Sequence, residues 1–321
     1  MAIYLVTGGC GFIGSHLCEA LIERGDEVRI LDDLSTGRIE NVPSGVVIVR
    51  GSVSDPETVD AAMQGIAGCF HLAAIASVER STRDWFGVHR TNLSGTIAIF
   101  DAARRIGGRG PIPIVYASSA AVYGDSNELP LREGTRVQPS SPYGADKYGC
   151  ELHAHVARKI FGVPNTGLRF FNVYGPRQDP RSPYSGVISL FCDRIRRREP
   201  IEIYGDGSQT RDFIFVGDVV RALLLAMEHV RERSGVFNVC TGRWTSVLDL
   251  ARLIGQLCGC EPQIQFRSSR PGEIGQSWGD CTLIRRSLGL SDPVDIRFGI
   301  EITLAWMQKP ETPHKLEQTG T

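Results

Sequence analysis

Ala2-Ile3-Tyr4-Leu5-Val6-Thr7-Gly8-Gly9-Cys10-Gly11-Phe12-Ile13-Gly14-Ser15-His16-Leu17 stands at the start of the chain. Residues 2–6 are a short apolar run, the pattern of a strand buried on both faces. Gly8, Gly11 and Gly14 follow at every third position, and residues 12–23 then carry apolar side chains at helical spacing until Gly25. A second apolar strand at 27–31 closes on Asp32-Asp33. Strand, glycine turn, helix, strand and acid make one βαβ unit of a dinucleotide-binding fold. The glycines permit a tight turn, close backbone approach to a pyrophosphate and tight helix–strand packing, and the helix N-terminus faces the phosphates. Asp32 is placed to accept hydrogen bonds from an adenosine ribose. An acid at this position favours NAD over NADP.

The alternation continues. Strands are expected at 46–49, 69–72 and 112–117 and helices at 56–63 and 88–103, which implies a parallel sheet covered by helices on both faces. The fold class is α/β, built on a doubly wound parallel Rossmann sheet. Ligands of such sheets bind beyond the strand C-terminal ends. Thr7, Asp32, Ala73, Ala74, Ser118 and Ser119 all fall at such ends and converge on one crevice.

Ser140-Ser141-Pro142-Tyr143-Gly144-Ala145-Asp146-Lys147 reads as a helix start, with Ser141 as N-cap and Pro142 at the first helical position. Tyr143 and Lys147 are then one turn apart on one face. The helix N-terminus and the ammonium both favour a phenolate, so Tyr143 is a candidate general base for a hydroxyl proton. Eight tyrosines and four lysines can supply such a pair by chance; its weight comes from the crevice it faces. Ser119 is either a turn-capping serine or a second partner for the same hydroxyl.

Composition narrows the rest. A formal net charge of −1 offers no general attraction to nucleic acid or to a membrane surface. No apolar run is long enough to span a bilayer. Nine cysteines, scattered and without a Cys-x-x-Cys pair, read as reduced thiols, and no metal site is expected. No basic, cleavable leader precedes the first strand, so a cytoplasmic protein is expected. In the second half, the helix begun at 142 is expected to end within 161–166. The strand after it, 167–172, is expected to leave the sheet. The arginine- and proline-rich loop at 176–186 reads as a mobile cover. Helices are expected at 187–198, 217–231 and 247–257, strands at 201–204 and 236–239, and a frayed tail from 309.

Four stretches, taken in order, resemble one known family. They are Gly8-x-x-Gly11-Phe12-Ile13-Gly14-Ser15-His16-Leu17, Ser118-Ser119-Ala120-Ala121-Val122-Tyr123-Gly124, Tyr143-x-x-x-Lys147 and Phe171-Asn172-Val173-Tyr174-Gly175-Pro176. They resemble the extended short-chain dehydrogenase/reductase family, and within it the nucleotide-sugar epimerases, as far as about Trp306. The resemblance implies NAD as cofactor, a UDP-sugar as substrate and a homodimer built on the helices at 88–103 and 143–160. It implies a cofactor domain, 1–168 with about 211–240. A smaller C-terminal α/β substrate domain takes 169–210 and 241–308, and 309–321 forms a flexible tail.

Around the cofactor, the resemblance implies Phe12 and Ile13 with the glycine turn, and Asp33, Ser35, Thr36 and Gly37 beside Asp32. It implies Ser52 and Val53 at the adenine, where the usual Gly-Asp-Ile is Gly51-Ser52-Val53 and the contact is expected to be weaker. Leu72, Ala73 and Ala74 follow, then Asn92, Ser118, Phe170 and Val173, with Tyr143 and Lys147 completing the set. For the substrate it implies Ser77, Ser119, Ala120, Tyr143 and Val187, with Asn172, Arg211 and Arg270 at the diphosphate and Tyr204 against the uracil.

The resemblance also implies a reaction. Tyr143 takes the proton of the sugar 4-hydroxyl, hydride passes reversibly to NAD, and a 4-keto sugar is reduced again from its other face. Lys147 holds the nicotinamide ribose and Ser119 steadies the 4-oxygen. Related dehydratases and decarboxylases carry acidic side chains after the first residue of the serine segment, where this chain has Ala120 and Ala121. A plain C4 epimerase is therefore expected. Ser277 stands where a bulky tyrosine would exclude an N-acetyl group, and the stretch Pro183-Tyr184-Ser185-Gly186-Val187 resembles epimerases of N-acetylhexosamines. UDP-GlcNAc and UDP-GalNAc are the expected substrates, with UDP-Glc and UDP-Gal as further ones.

Overall fold

The computed structural model describes residues 1–108, 110–182, 185–269 and 274–308. The chain opens β1 (Ile3–Thr7), α1 (Phe12–Glu23), β2 (Glu27–Asp32), β3 (Val47–Arg50), α2 (Pro56–Met63) and β4 (Gly68–His71). Next come α3 (Val78–Arg83), α4 (Trp85–His89), α5 (Gly95–Ile106), β5 (Ile114–Ser119), α6 (Pro142–Phe161) and β6 (Asn165–Phe170). These strands, with β11 introduced below, form a seven-stranded sheet in the order β11-β6-β5-β4-β1-β2-β3, and every pairing in it is parallel. The chain winds one way from β1 to β3 and the other way from β4 onward, so the crevice opens at the C-terminal ends of β1 and β4.

The second half runs β7 (Asn172–Tyr174), α7 (Val187–Arg196), β8 (Ile201–Tyr204), β9 (Thr210–Arg211), β10 (Phe213–Phe215), α8 (Val216–His229) and β11 (Gly235–Val239). It closes with β12 (Thr245–Ser246), α9 (Val247–Cys258), β13 (Ile264–Arg267), β14 (Gln276–Ser277), α10 (Thr282–Leu288) and α11 (Ile296–Gln308). Beside the main sheet the chain forms three small ones, β10-β7, β12-β9-β14 and β13-β8. The expected tail, 309–321, lies outside the described residues.

Three cores follow from the amphipathic faces. Leu17 and Leu21 of α1 pack with Val219, Leu223 and Ala226 of α8 against one face of the sheet. Met63, Ile99, Ala103, Cys150 and Ala154, from α2, α5 and α6, cover the other. Phe191, Ile195, Leu250, Ile254, Ile300 and Leu304, from α7, α9 and α11, bury Ile201 and Ile203 of β8 in a third.

Several expectations need correction. The strand read at 167–172 as leaving the sheet is β6, which lies inside it between β5 and β11 with all six residues buried. Gly167 lets it in, because a Cβ there would stand 2.5 Å from the Tyr116 ring. Only Asn172–Tyr174 departs, to pair with β10. The helix read at 88–103 is α4, a π-helical turn at Arg90–Ser94, and α5. At that turn, buried Asn92 bonds the backbone of Ile75. The end of α6, by contrast, falls within the expected 161–166, at Phe161, because Gly162 takes a left-handed φ of 66° as its C-cap.

Candidate active site

The glycine turn follows from the space around it. Gly8 has φ +70°, and a Cβ on it would lie 2.9 Å from the backbone of Ala73. A Cβ on Gly14 would lie 2.2 Å from the carbonyl oxygen of Gly8. α1 starts at Phe12 with no side chain capping its first N–H groups, so those donors face the cleft. Asp32 ends β2 almost buried, and its carboxylate accepts from the backbone N–H groups of Cys10 and Leu34, each at 2.9 Å. Burial raises its pKa, partly offset by those two N–H groups. The carboxylate thus ties β2 to the glycine turn while keeping lone pairs for a ribose diol. Backbone N–H groups at a helix start beside a bare carboxylate fit a dinucleotide pyrophosphate and an unphosphorylated ribose.

A buried chain of polar groups sets the floor. Thr96 donates to the carbonyl of Asn92 at 2.6 Å, so its oxygen accepts from His71 Nε2 at 3.0 Å. His71 Nδ1 then accepts from the Thr7 hydroxyl at 2.8 Å. The Thr7 oxygen is left to accept from the N–H groups of Leu72, at 3.2 Å, and Ala73, at 3.1 Å. His71 is neutral here: burial, with the Lys147 charge adding to it, pushes its pKa down to about 3.

On the opposite wall, α6 begins as its sequence requires. Ser141 Oγ accepts from Gly144 N at 3.1 Å, and Pro142 takes the first helical position. Tyr143 N donates to Ser81 Oγ at 3.2 Å, which fixes the helix start against α3. Lys147 is buried; its Nζ donates to the Ala117 carbonyl at 2.9 Å and sits 5.9 Å from the centre of the Tyr143 ring. Ser119 takes the turn-capping role its sequence context allowed. Its Oγ accepts from Ala121 N at 3.1 Å, capping the 3-10 turn at Ala120–Tyr123, and the residue lines the cleft. Ser118 donates to buried Glu151 at 2.5 Å, and Glu151 is held by Arg169.

The cleft has a volume of about 970 Å³. It gathers Gly8, Gly11, Phe12, Ile13, Gly14, Asp32, Asp33, Ser35, Thr36 and Gly37 from the first βαβ unit. Val53, Leu72, Ala73, Ala74 and Ser77 join from β4 and its neighbours, then Ser118, Ser119, Tyr143, Lys147, Phe170, Asn172, Val173 and Val187. Other expected residues stand elsewhere. Ser52 turns its hydroxyl to Ser54 at 2.8 Å, leaving Gly51 and Val53 on the cleft wall. Asn92 lies beneath the floor, accepting from Ile75 N at 2.8 Å and donating to Ile75 O at 3.2 Å. Ala120 packs into a small apolar cluster. Tyr204, Arg211 and Ser277 sit on β8, β9 and β14, off the cleft lining, with Ser277 in register with Arg211. Arg270 lies outside the described residues, as do Pro183 and Tyr184.

Sequence reasoning missed the pairs that anchor the loop after β7. Arg177 reaches Glu19 of α1 at 2.7 Å, Asp179 pairs with Arg38 at 2.6 Å, and His16 bonds the Pro176 carbonyl at 2.9 Å. The loop read as a mobile cover is thus strapped to the first βαβ unit. Arg38, Arg177 and Asp179 all line the cleft, as does Arg80 on α3. The only signal for them was the arginine-rich loop itself.

Known proteins agree with this geometry. Residues 4–240 match the NAD dependent epimerase/dehydratase family. The UDP-glucose 4-epimerase of Mycolicibacterium smegmatis is 36% identical over 311 residues, covering 95% of this chain and 98% of that protein. The crystal structure of UDP-glucose 4-epimerase from Thermotoga maritima with UDP-glucose superposes with a TM-score of 0.90 at 35% identity, covering 95% of this chain and 98% of that one. A UDP-N-acetylglucosamine 4-epimerase from Methanobrevibacter ruminantium, in complex with UDP-N-acetylmuramic acid, gives 0.89 at 33% identity over the same shares.

Proposed function

The chain belongs to the NAD dependent epimerase/dehydratase family, and we propose that it inverts C4 of a UDP-hexose, with UDP-GlcNAc and UDP-GalNAc as its preferred pair and UDP-Glc and UDP-Gal as further substrates. NAD is the cofactor, held by the glycine turn, Asp32 and Lys147. When bound, it supplies a reversible hydride acceptor for oxidation at the sugar. The residues of this chain do the rest. Tyr143 removes and returns the 4-hydroxyl proton, and Lys147, one helical turn away, favours the phenolate and orients the nicotinamide ribose. Ser119 donates to the 4-oxygen as its charge develops.

One observation carries the reading. Tyr143 and Ser119 line the same cleft, and the two residues that follow Ser119 are alanines. No second acid or base stands there to eliminate water or lose carbon dioxide. Asn172 on the cleft wall, with Arg211 and Arg270, is assigned to the diphosphate, and Tyr204 to the base. Small Ser277 supports the N-acetylated pair. The substrate half comprises 169–210 and 241–308, and the cofactor half 1–168 with about 211–240. Exposed Ile97, Leu152, Val156, Ile160 and Phe161 on α5 and α6 support a homodimer through those helices.

The purified protein, incubated separately with UDP-GlcNAc and UDP-Glc, should convert each to its C4 epimer in the NMR spectrum, the N-acetylated sugar faster. A 4-keto-6-deoxy product, or loss of carbon dioxide from UDP-glucuronate, would overturn the reaction. A clear preference for UDP-Glc would overturn only the specificity.

A further inference from the structure

Away from the cleft, two thiols meet. Cys240 follows β11 and is buried; Cys281 precedes α10 and is partly exposed. Both line a small crevice with Ile214, Asp218, Arg285 and Leu290. Asp212 already joins the loops that carry them. It accepts from Thr241 N at 2.8 Å, from Gly242 N at 3.0 Å and from Gly279 N at 3.4 Å. Each sulfur sits over the other's loop: a Cβ on Gly279 would stand 2.7 Å from Cys240 Sγ, and one on Gly242 3.7 Å from Cys281 Sγ. Larger side chains at those two glycines would keep the thiols apart.

We infer that Cys240 and Cys281 form a peroxide-responsive dithiol that closes to an intramolecular disulfide. The two thiols differ in the way such a pair requires. Cys240 at its side and Arg285 beside it hold the Cys281 thiol down to about 7 against the effect of its burial. Burial pushes Cys240 well up, so it remains the proton donor. The Cys281 thiolate attacks the peroxide O–O bond, forms an S–O bond and expels hydroxide, leaving a sulfenic acid. The Cys240 sulfur, giving up its proton, then displaces water from that sulfur and forms the S–S bond. Two thiols and one peroxide become one disulfide and two waters; sulfur is oxidised and the peroxide reduced. The bond would fasten the end of β14, which carries Ser277, to the last strand of the main sheet. Nothing in it depends on the reaction proposed above.

The test treats the native protein with stoichiometric hydrogen peroxide, blocks free thiols, reduces, adds a second alkylating label and maps the peptides by mass spectrometry. Cys240 and Cys281 should carry the second label together, and the unreduced digest should contain their linked peptides. In Cys240→Ser, Cys281 should stop at a sulfenic acid trapped by dimedone. In the untreated protein at pH 7, iodoacetamide should label Cys281 at least about tenfold faster than Cys258, whose thiol burial pushes up. A linkage that falls mainly between Cys258 and Cys260 would overturn the inference. So would the absence of any linkage with Cys281 labelled no faster than Cys258.

Discussion

Arg169 grips Glu151 with two parallel hydrogen bonds, 2.8 Å from Nε and 2.7 Å from a terminal nitrogen, and each side chain is only 6% exposed. The pair ties β6 to α6 directly behind Ser118, whose hydroxyl donates to the same carboxylate. Arg169→Met would leave that carboxylate buried and unpaired. The expected loss is about 3–5 kcal/mol in urea unfolding. Replacing both residues with methionine should recover most of it. A double variant as unstable as the single one would show that the ion pair is not the source.

Tyr143→Phe removes one oxygen from the cleft and leaves α6 capped by Ser141. Turnover should fall by about 10²–10⁴, while NAD released on denaturation stays at the wild-type amount. Lys147→Met should lower both, because the same ammonium is assigned to the cofactor ribose. Wild-type turnover in Tyr143→Phe would remove this residue from the role of base.

His71 makes the fold sensitive to acid. Its pKa is about 3 in the native state and near 6.5 when unfolded. Between those values the unfolded chain binds the extra proton, so stability rises with pH and falls on acidification. From pH 7 to pH 5 this one group should remove about 2 kcal/mol. His71→Gln should decline less over that interval by about this amount in paired urea titrations. His16, whose pKa burial also lowers, acts in the same direction and remains in both proteins. Parallel pH profiles would sink the assignment.

Gly14→Ala places a methyl group 2.2 Å from the Gly8 carbonyl oxygen, a backbone atom that can move only with the turn. The expected cost is about 1–3 kcal/mol, with retained NAD falling more steeply than stability. Gly25→Ala is a useful contrast: its Cβ meets nothing within 4 Å, but its φ of +86° strains any side chain. It should lower stability and leave NAD retention alone.

Some of this was legible in the residues and some was not. The first βαβ unit could be read because an apolar run, three spaced glycines and an acid each have one cheap conformation. The start of α6 could be read for the same reason, from Ser141 and Pro142. β6 is misplaced because no proline or glycine after Gly167 marks where one strand stops and the next begins before Gly175. The π-turn at Arg90–Ser94 contains no glycine or proline to mark it, so the stretch reads as one continuous helix. Arg38 and Asp179 meet from distant parts of the chain, and periodicity is blind to such pairs.

The loop after β7 is fastened at three points, by Arg38, Glu19 and His16. Two of these fastenings are ionic and partly exposed, so salt weakens them. In the proposed reaction the nicotinamide ends each cycle in the state in which it began and has no need to leave, so that wall need not open between turnovers. NAD retained after a wash at high ionic strength should therefore fall below that retained at low ionic strength.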